Sequence, residues 1–183
     1  MIPQSYITEW SEKAPWGLNQ QVEQDLIICR ALVAIYCDDF LAEHLAFRGG
    51  TALGKHNNTL LFKVQPTDPD ADEIHLKIEI NCKEHFSVFP MVRLPFSVKN
   101  SWFSGSCEVL TYELEELTGT KLRALYQRRK GRDLFDLSNI LSSVAALDKD
   151  KVMKSYERYL GFTASHLPTS LFQGGPQMPQ NKP

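Results

Sequence analysis

Apolar positions recur at helical spacing over Gln20 to Phe40, where Val22, Leu26, Cys29, Val33 and Tyr36 make one stripe and predict a helix. A shorter helical stretch, "FLAEHLAF", leads into Gly49-Gly50. The period then changes to two. "NTLLFKVQ" and "EIHLKIEIN" read as strands joined by the turn-forming "PTDPDAD". In the second strand Ile74, Leu76, Ile78 and Ile80 take one face, and His75, Lys77, Glu79 and Asn81 take the other. "HFSVFPMVRLPFSV" is aromatic and β-branched but interrupted by Pro90 and Pro95, which suits an edge strand or an extended connection. "SWFSGSCEVLTY" adds another extended piece. From Leu110 a long helix is predicted to run to about Lys130 and stop at Gly131, with a further helix from Asp133 and one from Asp148 to Leu160.

This order predicts an α+β (α/β) domain, a small mixed sheet with helices before and after it. The expected organisation is a single domain over residues 1–172, followed by a Gly-, Pro- and Gln-rich tail, 173–183, with little to bury and an expectation of disorder.

Composition narrows the class. The 183 residues carry a formal net charge of −2, so a dedicated nucleic-acid coat is not indicated, although a local basic patch is compatible with that balance. No apolar run reaches the length of a membrane helix, and the N-terminal segment lacks the charged and apolar regions of a signal peptide. Cys29, Cys37, Cys82 and Cys107 are scattered without a C-x-x-C pair, which reads as reduced core thiols of a cytoplasmic protein and not as a zinc site.

"FRGGTALGKHNNTLLF" contains Gly49 and Gly54-Lys55 at P-loop spacing. His56 stands where a magnesium-binding Ser or Thr belongs, and a strand follows where a helix N-terminus is needed, so the P-loop reading fails. "RGGTAL" alone admits two readings: a loop whose glycine amides and Thr51 hydroxyl approach a phosphate, or a Gly-Gly turn ending a short helix. Downstream, Leu110, Leu114, Leu117, Lys121, Leu125 and Arg128 share one helical stripe, so Lys121 interrupts an apolar face. Such a lysine either meets an anionic partner or snorkels at the edge of the domain. Arg128, Arg129, Lys130 and Arg132 form a cationic turn, suited to phosphates or an RNA backbone if it is not simply solvated. Asp133 and Asp136 suit the cap and first turn of the next helix.

Taken in order, "QVEQDLIICRALVAIY", "LAFRGGTAL.K", "KIEIN", "SCEVLTYELEELTGTKLRALYQRRKGRDLFDL" and "YERYL" resemble the AbiEii-type nucleotidyltransferase toxins of abortive-infection and toxin–antitoxin systems. The resemblance reaches to about residue 162 and implies a polymerase-β-like nucleotidyltransferase fold. It implies Mg²⁺-dependent transfer of a nucleotide from an NTP to an acceptor such as tRNA, and an antitoxin partner. Carried over by position, Gly49, Gly50, Thr51 and Lys55 match the phosphate loop, and Lys77 and Glu79 match a strand motif. Lys121, Arg132, Asp133 and Asp136 match the helical motif, with Lys121 as the expected NTP-phosphate contact and Asp133 as the favoured acid. Arg128 and Arg129 join Arg132 as expected RNA or phosphate contacts.

The chain departs from the pattern at one place. Family members follow "GGTALxK" with a segment resembling "RYSEDIDL" and a helix, whereas here Lys55-His56-Asn57 runs straight into the later strand. The D-x-D pair that carries magnesium is therefore missing, the sheet is expected to be reduced, and activity is expected to be impaired. Glu79 alone is a poor site for an ion that wants several oxygen ligands. Asp68, Asp70 and Asp72 have D-x-D spacing, but in a turn, where such residues ordinarily shape the backbone. Two other readings stay open: a transferase using those acids or a partner's carboxylate, and a non-catalytic module that binds an antitoxin or a homologue.

Overall fold

The structure is a computed structural model that describes residues 2–48, 58–81, 84–144 and 146–166. The chain divides into two compact units, Met1–Glu113 and Leu114–Pro183.

The first unit begins with a helix the periodicity does not predict, α1 (Gln4–Ser11). Pro3 precedes it, and Ile7 and Trp10, three residues apart, bury the same side. The predicted helix is α2 (Asn19–Tyr36), which ends at Tyr36 and not at Phe40, and the shorter helical stretch after it is α3 (Asp39–His44). The chain breaks at Asp38, whose carboxylate accepts from the Leu41 amide at 2.9 Å and so starts a new helix. The α2 stripe at Val22, Leu26 and Val33 joins Ile2, Ile7, Trp10 and Val98 in one core.

The predicted strands form with their predicted alternation. In β2 (Ile74–Ile80) every apolar position is more buried than its polar neighbours. It pairs antiparallel with β1 (Asn58–Val64), Leu61 opposite Lys77. The proline-interrupted segment and the extended piece after it yield β3 (Val92–Lys99) and β4 (Ser104–Thr111), paired antiparallel with Pro95 opposite Glu108. Pro95 is tolerated because β3 is an edge strand with β4 as its one ladder partner among the described residues. Among the described residues the strands thus form two two-stranded antiparallel sheets in place of the one small mixed sheet expected. Phe47 adds a single parallel bridge to Thr111, its amide donating to the Leu110 carbonyl at 2.7 Å.

The second unit is helical: α4 (Leu114–Arg128), α5 (Gly131–Ser143) and α6 (Lys149–His166). Leu110 belongs to β4 and not to the helix. Gly131 does not stop α4 but opens α5; the chain turns instead at Arg129, whose φ of 52° is a left-handed conformation more often given to glycine. The most deeply buried positions of α4 are not the leucine stripe but Glu116, Thr118, Gly119, Arg123 and Ala124. Tyr159 of α6 is fully buried there, its hydroxyl donating to Glu116 at 2.7 Å while Arg123 donates to its carbonyl at 3.3 Å. The two helices approach closely beside it: a Cβ at Gly119 would lie 2.7 Å from the Val152 carbonyl oxygen.

Among the described residues no helix is long and apolar enough to cross a membrane.

Candidate functional site

The leucine face of α4 carries Lys121, and this side chain meets α5. Its ammonium binds the Asp136 carboxylate in a close ion pair with 21% of the lysine side chain exposed. Of the two sequence readings for Lys121, an anionic partner and a snorkelling lysine, the structure has the partner, and it is Asp136. One turn earlier on α5, Asp133 is buried and accepts from Arg128 at 2.8 Å. Asp133 is not the helix cap: Lys130 occupies that position, and the Asp133 amide donates to the Lys130 carbonyl. Its side chain turns inward, and its second oxygen, Oδ2, has no hydrogen-bond partner among the described residues.

Four of the expected residues therefore form two cation–carboxylate pairs on adjoining helices, Lys121 with Asp136 and Arg128 with Asp133. Arg129 is exposed at the turn beside them. The Arg132 side chain lies outside the described residues.

The strand residues belong to the first unit. Lys77 and Glu79 lie two apart on the polar face of β2 and pair with each other at 2.7 Å. Gly49, Gly50, Thr51 and Lys55 lie outside the described residues. Arg48, directly before them, was not singled out by sequence reasoning, although its position beside Gly49-Gly50 was a signal. Its guanidinium binds Glu84 at 2.6 Å and lies 5.5 Å from the centre of the Tyr112 ring. Asn81 donates to the same Glu84 carboxylate at 3.1 Å, so the exit of β2 holds this arginine in place.

The carboxylates do not fit magnesium as a set. Glu79, Asp133 and Asp136 each face a cation, and no three His, Cys, Asp or Glu side chains are grouped for a metal among the described residues. Asp68, Asp70 and Asp72 are exposed, and Asp68 accepts from the Asp70 amide at 3.0 Å, the local bond of a turn former. The first unit also holds a cleft of about 330 Å³ between α2, Val64 and Trp102, which includes none of the expected site residues.

The helices and two small antiparallel sheets of the described residues make a mixed α+β chain, consistent with a nucleotidyltransferase-like fold. The family described as "Nucleotidyl transferase AbiEii toxin, Type IV TA system" matches residues 55–179, more than half of the chain, and the protein belongs to that family. The matched span starts at Lys55, the residue at which the sequence pattern breaks. No curated protein and no solved structure matches the chain.

Proposed function

We propose that this protein is a nucleotidyltransferase-fold toxin relative, residues 1–172 acting as one domain, whose capacity to transfer a nucleotide from an NTP to tRNA or another acceptor is impaired. The observation that carries this reading is the double pairing on α4 and α5. Asp136 holds the Lys121 ammonium in a defined position, which suits it to contact a triphosphate, and Asp133 holds Arg128 beside the exposed Arg129. Arg128, Arg129 and Arg132 then serve a phosphate or RNA backbone, with Gly49, Gly50, Thr51, Lys55 and Lys77 as the remaining nucleotide-binding residues. The acids are engaged as well: Asp133, the favoured catalytic acid, is bound to Arg128, and Glu79, the strand carboxylate that matches the family motif, is bound to Lys77.

Incubation with labelled NTPs, magnesium and total tRNA tests this. The expected result is binding of NTP that Lys121→Ala weakens, with little or no incorporation of label. Robust incorporation abolished by Lys121→Ala overturns the impaired reading.

A second reading has its own support. On α5, Leu134, Phe135 and Leu141 are exposed by 59%, 65% and 61%, an apolar surface of the kind that binds protein. A non-catalytic module seated against a family antitoxin accounts for it. Co-purification with the antitoxin that is lost in Phe135→Asp and indifferent to nucleotide favours this reading.

A further inference from the structure

Cys37 and Cys107 are distant in sequence and meet where the end of α2 lies over β4. Val33 and Gly105 set the register of the two elements: a Cβ at Gly105 would lie 2.9 Å from Val33 Cγ1, so helix and strand touch there. Cys37 lies one helical turn past Val33, about 6 Å further along the same side, and its amide still donates to the Val33 carbonyl at 2.9 Å. Cys107 follows Gly105 on the same face of β4, about 7 Å further on. The two steps match in length. They also match in direction, since Cys37 Sγ lies 3.6 Å from the Ser106 carbonyl oxygen. That oxygen is about 2.8 Å from the Cys107 Cα across their shared peptide, which puts the Cys37 sulfur within about 6.4 Å of that Cα. Cys107 packs against the core that α2 joins, so its side chain is on the helix side of β4. Burial first, and the neighbouring Cys37 second, hold the Cys107 thiol above its usual pKa.

We propose that Cys37 and Cys107 form a redox-active thiol pair, a modification site at which a small disulfide such as oxidised glutathione closes an intramolecular Cys37–Cys107 bond. Both are free thiols, Cys37 exposed and Cys107 half-buried, which divides the roles. The Cys37 thiolate attacks one glutathione sulfur and releases the other glutathione as its thiolate. The Cys107 thiol then gives up its proton to water, its sulfur attacks Cys37 Sγ, and the second glutathione leaves. Two cysteine thiols are oxidised and one small disulfide is reduced to two thiols. Cys29 does not compete for Cys37, because it sits two turns earlier on α2, about 12 Å away and beyond the span of a disulfide. The bond ties α2 to β4 beside Tyr36, whose hydroxyl donates to the Leu45 and Leu110 carbonyls at 3.3 Å. It thus fixes the joint from which the chain runs on to Arg48 and the glycine pair after it.

Equilibration of the full chain in glutathione redox buffers, followed by acid quenching and peptide mass under non-reducing conditions, tests this. The expected product is the Cys37–Cys107 disulfide, formed about a hundredfold more favourably in the folded chain than in urea, because the fold already holds the two sulfurs together. Cys107→Ala removes the resolving thiol and is expected to leave glutathione on Cys37, with circular dichroism unchanged. Cys37→Ser, at an exposed position, is expected to leave Cys107 reduced. The oxidised parent is expected to melt at least about 5 °C above the reduced one, a difference that Cys37→Ser abolishes. A glutathione adduct that persists on Cys37 in the parent, a Cys37 bond to Cys29 or Cys82 in place of Cys107, or an equal yield in urea overturns the proposal.

Discussion

Arg128 and Asp133 face each other at 2.8 Å across the break between α4 and α5, with 11% and 1% of their side chains exposed. The chain reaches this geometry through the left-handed Arg129, which turns α5 back so that its first turn points its acid at the end of α4. A buried carboxylate without its cation is costly, so Arg128→Ala is expected to destabilise the protein by about 3–5 kcal/mol. Replacing both residues, as Arg128→Met with Asp133→Leu, is expected to recover most of that loss, because no charge then remains to be solvated. Urea unfolding of the single and double variants measures both. A single variant within about 0.5 kcal/mol of the parent is a surface-pair result and contradicts the burial.

Two glycines in the same helical unit predict effects of opposite sign. A methyl group on Gly119 meets the Val152 carbonyl oxygen and Ser155 Cβ at 2.7 Å and the Tyr156 amide at 2.9 Å, most of them backbone atoms that cannot step aside. Gly119→Ala is therefore expected to cost about 1–3 kcal/mol despite alanine's better helix propensity. Gly161 meets nothing within 4 Å, so Gly161→Ala is expected to stabilise by about 0.5–1 kcal/mol through that propensity. Thermal melts of the two variants should move in opposite directions.

These residues show where the sequence was legible and where it was not. The alternation of Ile74, Leu76, Ile78 and Ile80 announced β2 because a strand with one covered face writes its burial into every second residue. The cation–acid cluster on α4 and α5 was visible as residue types, and Lys121 on an apolar face left an anionic partner and a snorkelling lysine open, of which the structure has the partner, Asp136. The α4–α6 contact was not visible, since Glu116, Gly119 and Arg123 do not look like a core until Tyr159 and Ser155 are set against them. Nor was the start of α5, because glycine after a cationic run reads as a stop signal, while the left-handed residue is Arg129. Local pattern reports solvent, and these features are set by a neighbouring helix.

The hairpin carries a pH signature. Glu73 accepts from Lys63 at 3.0 Å and from His75 at 3.0 Å, and these hydrogen bonds, that to Lys63 foremost, hold its carboxyl below the usual glutamate value. A carboxyl lowered by folding contributes stability above its unfolded pKa, and that contribution is lost as pH falls through the folded value. The Glu73 side-chain carboxyl carbon and the Lys63 amide signals are thus expected to hold above the usual glutamate range and to move in an acid step below it. Glu73→Gln is expected to remove that acid step and leave the neutral-pH spectrum of α2 unchanged. An acid step that survives the substitution assigns it to another carboxyl.

Thiol reactivity separates the cysteines by their surroundings. Cys29 lies on α2 with its sulfur 3.9 Å from Asp25, whose carboxylate also accepts from the Trp10 indole at 2.8 Å. Burial above all, and then the Asp25 charge and hydrogen bond, push the Cys29 thiol up to about 11. At pH 8 its thiolate fraction is then about one in a thousand, against about a quarter for an ordinary thiol. Cys37, one residue past α2, is exposed. Alkylation by iodoacetamide, followed by peptide mass, is expected to label Cys37 at least about a hundredfold faster than Cys29 in the folded protein, and to label both equally in urea. Asp25→Asn removes the charge but not the burial, so it is expected to raise the Cys29 rate by only part of that difference. Full recovery in Asp25→Asn makes the carboxylate, and not the desolvated position on α2, the source of the protection.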